Sequence, residues 1–108
     1  ALLRSGQLEP AIAELERVVA LAPDTVEAQS QLGRARIAAG RPAEAVAPLT
    51  AVVNAAPSDP AARYNLAVAL SRAGRTADAI AELDTALRLQ PDFEPGQQLR
   101  AQLRAETK

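Results

Sequence analysis

The side chains that could do covalent or acid–base chemistry are few. The 108-residue chain contains no Cys and no His, which removes thiolate and imidazole metal ligands, disulfides and every His-based nucleophile. Its single Lys is Lys108, at the tail, so no Ser or Thr has an evident base to activate it. Glu14 and Glu16 fall on different faces of a helix, and Asp78, Glu82 and Asp84 read as a solvated outer face. Gly33 and Gly96 stand alone, outside any Gly-rich phosphate loop. No catalysis, cofactor or metal is expected. The chemistry left is recognition, with Arg as 11 of the 12 cations and one Tyr as the stacking surface.

The background of these residues narrows the partner. A formal charge of −1 gives no reason to expect nucleic acid or an anionic membrane surface. No stretch approaches the roughly 18–20 apolar residues needed to span a bilayer. Ala supplies 26 residues, while Leu, Ile, Val and Phe supply 25, about 23% of the chain, which clears the threshold for disorder. With one Tyr, one Phe and no Trp, the core must be aliphatic. Ala favours helices and is depleted in strands, so the elements are helical. The Ala excess and the Arg preference also suggest a GC-rich bacterial genome.

The elements repeat. Pro23, Pro57 and Pro91 are spaced by 34 residues, as are Gly6, Gly40 and Gly74. Each Gly is followed at the same offsets by a small residue (Ala11, Ala45, Ala79), then Ile12, Val46 or Ile80, then Leu15, Leu49 or Leu83. So many coincidences at one period define a repeat. Each unit reads as helix, turn, helix. Ser58-Asp59-Pro60 supplies an N-cap and a first-turn Pro. Gly74 suits a left-handed helix end, Thr76 can cap the second helix and Pro91 ends it. Pro48, inside a second helix, should cost one backbone hydrogen bond. The chain then divides into a partial repeat (1–23), full repeats (24–57 and 58–91) and a C-terminal capping helix (92–108) capped by Asp92 and started by Pro95. That helix is polar except at Leu99 and Leu103, as the end of a stack requires. The helix from Leu8 to Ala22 has no such cover. Ile12, Leu15 and Val19 should be partly bare, to be met by upstream sequence or a neighbouring chain.

These residues resemble the tetratricopeptide repeat family. The best unit runs from Pro60 to Phe93, with Tyr64-Asn65-Leu66-Ala67, Gly74, Ala79-Ile80 and Leu87-Arg88-Leu89-Gln90-Pro91-Asp92. Departures are Gln29, Arg63 and Arg36 where the family often carries large aromatics. The resemblance implies an all-α, right-handed α-α superhelix (solenoid) of antiparallel helix pairs, about three 34-residue repeats with a capping helix. Gly33, Ala67 and Ala101 on first helices, and Ala11, Ala45 and Ala79 on second helices, would let helices approach closely.

The resemblance also implies a concave groove, lined by first helices, for a protein or peptide ligand. Its lining would be Ser30, Arg34 and Ile37, then Tyr64, Asn65, Val68, Ser71 and Arg72, then Gln98 and Gln102. Charged residues of the first helices leave +3 and those of the second helices −5, which predicts a mildly basic groove, with Arg36 and Arg63 placed where they can turn between helices instead. The ligand expected is acidic or ends in a carboxylate, held by Arg34 and Arg72 and packed on Tyr64. The family's carboxylate clamp is matched only at Asn65 and is not expected. A structural role is the other reading, in which the uncovered N-terminal helix face meets another copy or an upstream domain. RNA-binding helical repeats of 35 residues would be strongly basic, unlike this chain.

Overall fold

The computed structural model describes residues 5–106. They form six helices: α1 (Ser5–Leu21), α2 (Val26–Ala38), α3 (Pro42–Ala55), α4 (Pro60–Arg72), α5 (Thr76–Leu89) and α6 (Glu94–Glu106). The rest of the expected terminal segments, residues 1–4 and Thr107, lies outside the described residues.

The turns follow the repeat. Gly40 and Gly74 have φ of 79° and 84°, the left-handed region that glycine enters without cost. The residue after each closes the helix end: Arg41 N donates to Arg36 O and Arg75 N to Leu70 O, both at 2.8 Å. Gly6, in register with both, lies inside α1, because no described helix precedes it for the chain to turn away from. The N-caps are less regular. Asp59 caps α4 through a 3.0 Å bond from Ala61 N. Thr76 does not cap α5; it lies inside the helix, and Arg75 at the cap position pairs with Asp78 instead. Asp92 likewise stands two residues before the first residue of α6.

Where large aromatics were expected, Gln29, Arg63 and Gln97 act as staples. Their side chains donate to the carbonyls of Pro23, Pro57 and Pro91, at 2.9, 3.1 and 2.7 Å. Each ties a first helix to the Pro that closes the preceding unit, which compensates for the thinner packing with a hydrogen bond.

The core runs along the interior of the stack. Ala45, Leu49, Ala67, Ala69, Ala79 and Leu83 are at most 1% exposed. Small residues set the helix spacing. A Cβ on Gly33 would stand 2.4 Å from Leu49 Cγ, so α2 and α3 are closer there than any side chain permits. Every helix touches the next, and α2 also meets α4, as α4 meets α6. Among the described residues α1, α3 and α5 never touch one another. The even helices thus form the tighter, inner layer, and the odd ones the splayed outer layer.

Candidate ligand-binding groove

The inner layer is where a ligand would meet several helices at once. Tyr64, Val68, Ser71 and Arg72 on α4 and Gln102 on α6 line one cavity of about 380 Å³, together with Leu99, Leu103 and Glu106. Five of the ten residues read from the sequence therefore come together. Ser30, Arg34 and Ile37 lie on the neighbouring inner helix α2, outside this cavity. Ile37 packs against the core, Ser30 is half-buried and Arg34 is exposed. Asn65 is half-buried and Gln98 exposed, and neither reaches the cavity.

Several features of the cavity were not legible in the chain. Phe93 stands edge-on to Tyr64, with ring centroids 5.9 Å apart and planes at 82°. The position of Phe93 depends in turn on Gly96, where a Cβ would come within 2.9 Å of its ring. Leu99 and Leu103 supply the apolar floor, although both read from sequence as seal residues. Glu106 accepts from Gln102 at 3.3 Å and puts a carboxylate across from Arg72 in the same lining. Ser71 donates to Val68 O at 2.9 Å, which leaves its oxygen free to accept.

The charge excess of the inner helices is mostly neutralised between layers. Arg36 pairs with Glu16 at 2.8 Å, Arg63 with Glu82 at 3.0 Å and Arg100 with Asp84 at 2.9 Å. Each runs from an inner helix to an outer one and points away from the groove. Of the four first-helix arginines counted from sequence, Arg34 and Arg72 alone are left to the groove. Arg41, in the α2–α3 turn, bridges Glu9 and Glu44, and the bond to Glu9 holds its guanidinium above the usual range.

A second cavity, of about 370 Å³, opens between α1, α2 and α3 over Val19, Leu32 and Pro48. It exists because Gln29 and Pro48 occupy the places where Arg63 and Glu82 pair one unit later. Among the described residues no group of acidic side chains could hold a metal ion. No described helix is long and apolar enough to cross a membrane.

Comparison with known proteins agrees with this architecture. Similar solved structures include MamA (MSR-1), 29% identical over 94% of this chain and 59% of that one, with a TM-score of 0.84. YrrB, described as a TPR protein with an unusual peptide-binding site, is 28% identical over 89% of this chain and 50% of that one, with a TM-score of 0.80. A mutant O-GlcNAc transferase of Thermobaculum terrenum is 29% identical over 93% of this chain but 19% of that one, with a TM-score of 0.77. The chain thus spans less than two thirds of each of these proteins. Comparison with curated proteins gives no match. A sequence model of the tetratricopeptide repeat matches residues 2–60 and again 36–103. Six helices in the expected register, the solved neighbours and these two overlapping matches lead to one conclusion: the chain belongs to the tetratricopeptide repeat family.

Proposed function

We propose that this chain is a non-catalytic protein-interaction module that binds an extended peptide or a partner helix along its inner layer. The observation that carries this reading is the α4–α6 cavity, in which an aromatic ring, an apolar floor and the Arg72 guanidinium converge. A ligand side chain of apolar character would pack on Tyr64, Val68 and Leu99, and its backbone or an adjacent carboxylate would meet Arg72, Ser71 and Gln102. Arg34, one unit away on α2, extends the same layer and favours acidic side chains or a free C-terminal carboxylate. Glu106 tempers that preference, so the groove selects a carboxylate placed toward Arg72 and Arg34 over one placed toward α6. The peptide-binding site ascribed to YrrB supports a peptide as ligand. The absence of His and Cys and the tail position of Lys108 support a role without chemistry.

The test is fluorescence polarisation with a panel of labelled peptides that differ in acidity and in a free or amidated C-terminus. Binding to acidic or free-carboxylate peptides should fall at least about tenfold, or 1.4 kcal/mol, when Arg34 and Arg72 are both changed to Ala. Undiminished binding by that double variant would sink the proposal.

A further inference from the structure

The bare side of α1 is half of a contact whose other half lies at the opposite end of the molecule. In the two complete units the second helix presents a small residue and a Leu to its own first helix, and both are sealed. Ala45 and Leu49 are 0% and 1% exposed, and Ala79 and Leu83 are 0% each. Their counterparts on α1 are Ala11, which is exposed, and Leu15, which is half-buried. Val18 and Leu21 extend the bare strip, at 43% and 88% exposed. These residues, with Glu14 on α1 and Gln31 on α2, line an open cavity of about 570 Å³. It repeats the berth that α3 and α4 offer to α2, and that α5 and α6 offer to α4.

The helix that fits such a berth must carry a small residue opposite the Leu, as α2 carries Gly33 against Leu49 and α4 carries Ala67, 0% exposed. α6 carries Ala101 at the same place in the 34-residue register, and Ala101 is exposed, with no helix after it among the described residues. The polar part of the contact matches as well. Arg63 of α4 pairs with Glu82 of α5 at 3.0 Å. The residue of α6 in register with Arg63 is Gln97, a donor, and the residue of α1 in register with Glu82 is Glu14, an acceptor.

The geometry points to a second copy of this chain as the occupant: α6 of one copy lies in the α1–α2 berth of the next, Ala101 on Leu15 and Gln97 toward Glu14. Such an interface joins two different surfaces, so the contact is heterologous and adds copies head to tail unless the rotation closes a ring. The outer side of α6 is polar around Ala101, which keeps the association weak and concentration-dependent.

Two exposed positions test this without disturbing the core. In Ala11→Glu the berth is blocked and α6 is intact, whereas in Ala101→Glu the berth is intact and α6 is blocked. Sedimentation velocity on the unaltered chain, from micromolar to millimolar concentration, should show mass rising beyond a dimer. Each variant alone should lower the association constant at least about tenfold, with an unchanged helical circular-dichroism spectrum. An equal mixture of the two should stop at a 1:1 dimer, because one working end remains on each. A chain that stays monomeric throughout leaves the berth to some other helix and overturns the proposal. So does association lost in Ala11→Glu but untouched by Ala101→Glu, which would indicate a symmetric α1–α1 contact.

Discussion

Arg36 Nη1 donates to Glu44 O at 3.0 Å, and Glu44 O is the carbonyl that Pro48, four residues on, has no N–H to serve. A guanidinium from α2 thus replaces the hydrogen bond that a proline removes from α3. The residue in register with Pro48 is Glu82, which has its N–H, and the residue in register with Arg36 is Leu70. Where the proline is absent, so is the arginine. A double-mutant cycle of Arg36→Leu and Pro48→Ala should therefore give a coupling energy of about 1 kcal/mol in urea denaturation. The ion pair with Glu16 is lost in both backgrounds and cancels. Strict additivity would refute the replacement.

Phe93 braces the ring on which the groove depends. Phe93→Ala should weaken peptide binding by about 1 kcal/mol, in line with an aromatic edge contact, and lower stability by a further margin. Gly96→Ala should do the same more mildly, since its Cβ would meet the Phe93 ring. Titration of each variant with one peptide, together with Phe93→Leu, separates lost bracing from lost burial. Binding by Phe93→Ala equal to the unaltered chain would show that Tyr64 needs no support.

Gly33→Ala sets two effects against each other. Alanine in a helix interior gains about 1 kcal/mol over glycine. Against this, the added Cβ would stand 2.4 Å from Leu49 Cγ, in the middle of a side chain that is 1% exposed. Overpacking of this kind costs about 1–3 kcal/mol, so the net change should be destabilising. A rise in melting temperature would mean that α2 and α3 separate freely.

Gly40→Ala and Gly74→Ala should each cost about 1–2 kcal/mol, the penalty for an L side chain in the left-handed region. The space around both is open, so the cost is conformational alone and nearly equal at the two sites. Thermal unfolding of each variant reads it directly, and unequal losses would point to contacts beyond the backbone.

Peptide binding should weaken with salt and hardly respond to pH. The groove guanidiniums are exposed or on the rim and therefore screened within about 10 Å at ~0.1 M salt. The chain has no His or Cys, so no side chain has an ordinary pKa between about 6 and 8. Affinity for an acidic peptide measured at several salt concentrations and at three pH values across that window checks both halves. A steep pH profile at constant salt would contradict it.

The periodic features were legible because one residue decides each of them locally. Gly40 and Gly74 dictate their own backbone, Asp59 reaches its own helix, and Ala45 and Ala79 are buried by register alone. The groove was legible only in part, because its remaining determinants lie on other helices. Whether Arg36 and Arg63 face the groove depends on Pro48 and Glu82, which draw them between the layers. Tyr64 gives no sign of Phe93, 29 residues away, which fixes its ring. Thr76 lost the cap to a neighbour for a similar reason: Arg75 at that place is held by Asp78.

Because each helix touches only its first and second neighbours, structural information has a short range in this molecule. A lesion at Leu15 is felt in α2 and is gone before α5, whose surroundings are built entirely from α4 and α6. Amide exchange in α1 can therefore speed up while Leu83 stays protected, and the two ends can evolve or fray independently. Length becomes a free parameter: a further 34 residues inserted after Pro57 would meet the same two kinds of neighbour and should add stability in a fixed increment.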